Sequence, residues 1–247
     1  MRVGVYGLGR FGSFWASMLA KRFTVMGYNR SKGREVPEGI TMVSEEEVLG
    51  ADVLFLCISI SAFEEVLERI SPSITPNTLV FDTCSVKVYP VKVMKKFLPE
   101  GIEIIASHPM FGPDSAREGL EGLPMVFCPV YAAEQKVEYW RSVFEDYRLK
   151  VLQMTPEEHD RKAAYTQGIT HFIGRVLGNL DLEESEMGTL GYHKLLEIVE
   201  QTCNDPIQLF MDLQNYNPFT KDMRNDVYRS FENTLHMLDT MQEFERY

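Results

Sequence analysis

Two short segments bring together residue types that handle protons. Asp82-Thr83-Cys84-Ser85-Val86-Lys87 follows an apolar run ending at Phe81, and Ser107-His108-Pro109-Met110-Phe111-Gly112-Pro113-Asp114 follows the run Ile102 to Ala106. An imidazole titrates near neutrality, so a histidine beside a substrate hydroxyl can take its proton while hydride leaves the same carbon. His108, expected at the tip of a strand and next to Pro109, is the candidate for that role. Ser85, at a neighbouring strand end, would orient the hydroxyl, and Ser107 would line the same cleft. A third segment works through its backbone. Gly7-Leu8-Gly9-Arg10-Phe11-Gly12 is G-x-G-x-x-G, placed between the apolar run Arg2 to Tyr6 and an amphipathic stretch. In that context Gly7 permits a tight turn, Gly9 lets the backbone approach a pyrophosphate, and Gly12 lets helix and strand pack closely. The helix N-terminus supplies free N–H groups to the anion.

The second strand candidate, Thr24 to Tyr28, indicates which dinucleotide. An acid about 20 residues after the glycines normally accepts from the ribose 2′-hydroxyl of NAD. Here that position is Asn29, followed by Arg30, Ser31 and Lys32, with Arg34 close by. No carboxylate repels a 2′-phosphate, and the cations and the hydroxyl suit one, so NADP is the expected cofactor. Ser59, just past the apolar run Val53 to Ile58, is a further candidate on the cofactor side.

These segments need elements to hold them. Residues 1–153 alternate short apolar runs with amphipathic stretches, which predicts a Rossmann-type, doubly wound, mostly parallel sheet with helices on both faces. Beyond Thr155-Pro156-Glu157-Glu158, a helix-start signal, no strand is expected. Glu157 to Leu180, Thr189 to Thr202, Pro206 to Tyr216 and Phe219 to Phe244 read as helical, giving an all-helical domain over 154–247. Its richness in Leu, Met and Phe points to a homodimer formed through these helices. The whole chain of 247 residues is 45% hydrophobic, so a sizeable core is available. A net charge of −11 disfavours nucleic acid and anionic membranes as partners. No run approaches the ~20 apolar residues of a spanning helix. The first residues read as a strand rather than a leader, and the four cysteines are scattered, so a cytoplasmic, metal-free protein is expected.

Together with the glycine turn, D-T-C-S-V-K, S-H-P-M-F-G-P-D and H-D-R-K-A-A-Y-T-Q-G-I-T-H-F-I-G-R-V-L (His159 to Leu177) resemble the prephenate/arogenate dehydrogenase family. The wording is nearest to its plant-type arogenate dehydrogenases, and Gly191 to Asn217 resembles their helical domain. The resemblance implies oxidative decarboxylation of a cyclohexadienyl dicarboxylate, arogenate or prephenate, with hydride transfer to NADP, in tyrosine biosynthesis. It implies that His108 accepts the C4 hydroxyl proton and that Ser85 bonds either the substrate hydroxyl or the nicotinamide amide.

A dicarboxylate needs donors. Thr166, Gln167, Thr170 and His171 recur at helical spacing and can line one face, with Lys87 and Arg175 as further candidates. His159 reads as a surface residue near a helix start, and His193 and His236 as structural or exposed. Many bacterial prephenate-specific members carry a T-R-I-A-type segment whose Arg binds a carboxylate; here the region reads V-E-Q-T-C-N-D-P. That departure favours arogenate, whose ammonium Asp114 would meet. Two rival readings stay open. One is an NADP-linked reductase of the β-hydroxyacid dehydrogenase type, which would leave His108 without a role. The other is a non-catalytic NADP sensor, against which Ser85 and His108 both stand.

Overall fold

The computed structural model describes residues 1–31, 33 and 35–244. Eight strands form one sheet: β1 (Arg2–Tyr6), β2 (Thr24–Tyr28), β3 (Ile40–Met42), β4 (Val53–Leu56), β5 (Leu79–Asp82), β6 (Glu103–Pro109), β7 (Pro124–Tyr131) and β8 (Lys150–Gln153). Their order is β3-β2-β1-β4-β5-β6-β7-β8. Every neighbouring pair is parallel except β6 and β7. The reversal of strand order beside β1 is the switch point at which ligands of such sheets bind. β4 (VLFL) and β5 (LVFD) are buried at every position, as strands covered on both faces must be.

The crossovers are helical: α1 (Arg10–Ala20), α2 (Glu45–Leu49), α3 (Phe63–Ile70), α4 (Val88–Phe97) and α5 (Glu134–Asp146). Ser44 caps α2, accepting from the Glu47 N–H at 3.2 Å while Glu47 accepts from the Ser44 N–H at 2.8 Å. Aromatic rings fill the space between α1, α5 and the sheet. Phe55 and Phe81 stack at 4.6 Å, with Trp15, Trp140 and Phe144 meeting them at tilted or edge-on angles.

The chain divides into two compact units, Met1–His159 and Asp160–Tyr247. The first turn of α6 (Pro156–Ala163) therefore groups with the sheet. Its cap explains why: Thr155 Oγ1 accepts from the Glu158 N–H at 3.2 Å, and the Met154 N–H donates to Phe127 O at 3.2 Å.

In the second unit, the single helix expected over Glu157 to Leu180 is interrupted. A π turn at Ala164–Gly168 separates α6 from α7 (Ile169–Gly178). Three more helices follow, α8 (Leu190–Asn204), α9 (Ile207–Tyr216) and α10 (Thr220–Phe244). α7 and α8 pack closely because Gly174 leaves room for Thr202, and Gly178 for Cys203. Polar side chains lock the remaining helices: Gln214 Nε2 donates to Gly168 O and Asn217 Nδ2 to Asp160 O, each at 2.8 Å. No helix among the described residues is long and apolar enough to cross a membrane.

Candidate active site

The glycine turn is explained by sterics. Gly7 has φ +101°, and a Cβ there would collide with the Cys57 carbonyl. A Cβ on Gly12 would drive into the Gly7 carbonyl oxygen, so the start of α1 sits on the turn as no other residue would allow. Gly9 differs. Among the described residues no atom lies within 4 Å of where its Cβ would be, so none of them requires glycine there. The space beside it is open, and α1 begins at Arg10 with neither a side-chain cap nor an acid in its first turn. Unpaired N–H groups facing open space suit a phosphate. Within the motif, Leu8 is buried and Phe11 stacks on Trp15, so their side chains serve the core and only their backbone faces the turn.

Asn29 ties this turn to the loop after β2. Its Oδ1 accepts from the Leu8 N–H at 3.2 Å and its Nδ2 donates to Ser31 O at 2.8 Å. Arg30 and Ser31 are exposed, while Lys32 and Arg34 lie outside the described residues. Ser59 is exposed at the start of a 3₁₀ turn that follows β4. Arg10 forms an ion pair with Asp114, which also pairs with Arg117 at 2.8 Å. These guanidiniums hold the Asp114 carboxyl below the usual carboxylate range, Arg10 first. With both partners already cationic, the expected role of Asp114 as an ammonium ligand gains no support from the structure.

At the ends of β5 and β6 the construction is electrostatic. Asp82 and Lys87 form an ion pair with no solvent exposure on either side chain. The Lys87 ammonium also donates to Ser107 O, and Asp82 Oδ1 accepts from the Ser107 N–H at 3.2 Å. Asp82 Oδ2 accepts from the Cys84 N–H at 3.0 Å, and Ser107 Oγ donates to Asp82 O at 2.6 Å. Burial pushes the Asp82 carboxyl up, against the opposing pull of Lys87. The network joins the loop carrying Ser85 to the strand carrying His108. It also corrects two expectations: Lys87 and Ser107 spend their polar groups inside the protein rather than on a ligand. Ser85 is half-buried, and among the described residues no hydrogen bond engages its hydroxyl.

His108 is the penultimate residue of β6, which runs past the expected stop at Ala106. Ser-His-Pro reads as a break after Ala106, but β7 pairs antiparallel through Ser107, His108 and Pro109, placing His108 opposite Val126. The ring is buried, and its Nδ1 lies 2.9 Å from Nε2 of His159. Burial, followed by the His159 ring and the Lys87 ammonium, holds His108 well below the usual imidazole range. It is therefore uncharged at neutral pH. His159 corrects the reading of a surface residue, being only 2% exposed. No local signal marks it: His159, Ala163, Ala164, Gly168 and His171 are all buried, which shows only once the helix is packed.

In the second unit, Thr166 and Thr170 donate their hydroxyls back to the carbonyls four residues earlier, at 2.9 Å each. Gln167 Oε1 and His171 Nδ1 are different: both are buried without a hydrogen-bond partner among the described residues. They sit one turn apart at the π turn, a feature frequent at functional sites. Arg175 donates to Asp205 O at 2.7 Å and lies over Phe210, while its Nε is buried with no hydrogen-bond partner among the described residues. His193 faces Glu184 at 3.2 Å, and His236 is exposed, as expected of both.

A doubly wound sheet with a G-x-G-x-x-G turn at its first crossover defines a nucleotide-binding domain of the dehydrogenase class. A family model described as prephenate dehydrogenase, nucleotide-binding domain, matches residues 18–153, and one described as TYRAAT1-like, C-terminal domain, matches 176–246. The chain belongs to the prephenate/arogenate dehydrogenase family. Arogenate dehydrogenase 2, chloroplastic, of Arabidopsis thaliana is 32% identical over 247 residues, covering 94% of this chain and 68% of its own length. Arogenate dehydrogenase 1, chloroplastic, of the same plant is 32% identical over 244 residues, and the chain spans only 38% of its length. Among solved structures, prephenate dehydrogenase from A. aeolicus, in complex with hydroxyphenyl propionate and NAD+, superposes with a TM-score of 0.75 at 19% identity. It covers 100% of this chain and 93% of its own. Synechocystis arogenate dehydrogenase gives 0.71 at 21%, covering 98% and 93%. Both share the fold.

Proposed function

We propose that the chain oxidises and decarboxylates arogenate, or prephenate, with NADP as its preferred hydride acceptor, in tyrosine biosynthesis. One observation carries the reading: His108 is buried and uncharged, and is anchored through Nδ1, leaving Nε2 to take a hydroxyl proton. The oxidised nicotinamide, when bound, supplies the acceptor for hydride. His108 Nε2 takes the C4 hydroxyl proton as the C–H bond at that carbon breaks, and the uncharged ring is in the right state to do so. Loss of carbon dioxide then aromatises the ring, so no side chain has to act as a strong acid. Ser85, with its uncommitted hydroxyl beside the Asp82–Lys87 pair, orients the substrate hydroxyl or the nicotinamide amide.

The dinucleotide fits the residues present. The open space beside Gly9 admits a pyrophosphate, Gly7 and Gly12 shape the turn, and the exposed Arg30 and Ser31 stand ready for a 2′-phosphate where Asn29 replaces the usual acid. Initial rates with arogenate and prephenate, each with NADP and NAD, test the proposal. Arogenate with NADP is expected to give the highest kcat/KM, and absence of turnover with all four pairs would end it.

The partner we propose is a second copy. On α10, Tyr228, Phe231, Leu235 and Leu238 are 50–63% exposed and follow one another at intervals of three, four and three residues. That is the spacing of a helix–helix seam. Sedimentation should show a dimer that Leu235→Glu dissociates; a wild-type monomer at micromolar concentration would refute it.

A further inference from the structure

We propose that His159 is a positioning residue for His108: its Nε2 accepts a hydrogen bond from the His108 Nδ1–H and so fixes the tautomer that leaves His108 Nε2 bare. The inference rests on the reading of His108 as proton acceptor and names the group that makes it one. The two ring nitrogens are 2.9 Å apart, the rings meet at 74°, and both residues are only 2% exposed. One proton lies between them. If it belonged to His159, the neutral His108 ring would carry its own proton on Nε2 and could only donate. If it belongs to His108 Nδ1, Nε2 is free to take a proton. When it does, the Nδ1–H stays in place, the positive charge resides on the His108 ring, and the bond to His159 becomes charge-assisted.

The fold delivers His159 to this spot by rigid steps. β6 and β8 flank β7, with His108 opposite Val126 and Val126 opposite Leu152. The chain leaves β8 after Gln153, is tied to β7 through the Met154 N–H, and turns directly into α6 under the Thr155–Glu158 cap. The His159 N–H closes that first turn on Thr155 O at 3.0 Å. The imidazole thus reaches across one strand with no loop between. A histidine present only to fill space would need no such alignment with a second ring nitrogen.

The test reads the tautomer directly. In the full chain with 15N-labelled histidine, long-range 1H–15N spectra at pH 7.5 should show His108 protonated at Nδ1 and bare at Nε2, with His108→Asn giving the assignment. His159→Phe keeps a ring but removes the acceptor. It should mix the two tautomers and lower kcat by about 10²-fold or more while KM moves less than threefold, since mis-set tautomers in oriented-histidine enzymes lower rates by up to about 10⁴-fold. His159→Gln, whose amide oxygen can accept, should restore the Nδ1–H tautomer and bring kcat within about tenfold of wild type. A wild-type His108 protonated at Nε2 would overturn the proposal, as would His159→Phe with an unchanged tautomer and kcat within threefold. Should His159→Phe not fold, the wild-type spectrum and His159→Gln decide. Absence of turnover in a wild type with the expected tautomer would sink the dehydrogenase reading and not this one.

Discussion

At the end of β1 the chain turns on glycines; at the ends of β5 and β6 it buries an ion pair and two imidazoles. The first region has almost nothing to titrate. Its shape follows from the Cβ atoms that Gly7 and Gly12 lack, and the anion binding we propose for it would come from backbone N–H groups at the start of α1. The second region is held by Asp82, Lys87 and Ser107 at zero exposure, and it sets the charge state of His108. Binding a phosphate needs an open space and fixed dipoles, which sterics can provide. Holding a base uncharged needs burial and a controlled local field, which only paired polar groups can supply in a dry interior. The two regions should therefore fail in different ways.

The largest effect is expected at His108. Replacing it by Asn removes the proposed proton acceptor, so kcat/KM should fall by about 10²–10⁴-fold, the usual value of general-base assistance. Cofactor affinity, measured by fluorescence quenching, should change little. A loss in cofactor binding equal to the loss in rate would blur the distinction between the two ends.

Lys87→Met comes next. It strands the Asp82 carboxylate in the interior and should cost about 3–5 kcal/mol of stability in a urea titration. Adding Asp82→Asn, which removes the charge and keeps an acceptor, should recover at least half. If the double variant were no better than the single, the ion pair would not be what holds β5 to β6.

A smaller pair of effects separates two glycines. Gly12→Ala forces a methyl group against the Gly7 carbonyl and should destabilise the chain by roughly 2–3 kcal/mol. Gly9→Ala meets nothing, so stability should stay within about 0.5 kcal/mol while the dinucleotide Kd rises roughly tenfold. Equal stability losses for both would mean that the open space beside Gly9 is not where a ligand approaches.

The same division decides what could be read from the sequence. β1 and β2 and the glycine turn have local signals, and their bounds follow from period and punctuation. β6 was expected to stop at Ala106, because Ser-His-Pro reads as a break when its antiparallel partner, Pro124–Tyr131, is not in view. Lys87 and Ser107 resembled ligands because a polar residue at a strand end carries no local mark of burial; only the pairing of β5 with β6 commits them to Asp82. His159 was hidden for the same reason, since its partner is 51 residues away in sequence. The π turn carries no local mark, because its spacing differs from an α-helix by one residue.

The smallest prediction concerns pH and applies to one end alone. Burial depresses His108 in the folded chain, whereas in the unfolded chain it titrates near 6.5. Above that pH both states hold the neutral ring, and His108 contributes no pH dependence. As pH falls through about 6.5 the unfolded state takes up the proton first, so stability drops, by at most about 1.4 kcal/mol per pH unit from this one group. The depressed His171 adds a slope of the same sign. The carboxyls held low by their partners, Glu45 and Asp114 among them, change their charge only at more acid pH. Between pH 6.5 and 5, His108→Asn should therefore flatten the decline in the urea midpoint, while Gly9→Ala, with no titrating group to disturb, should leave the wild-type slope intact. An unchanged slope in His108→Asn would mean that the imidazole takes up its proton alike in the folded and unfolded chain, and the electrostatic account of that end would have to be given up.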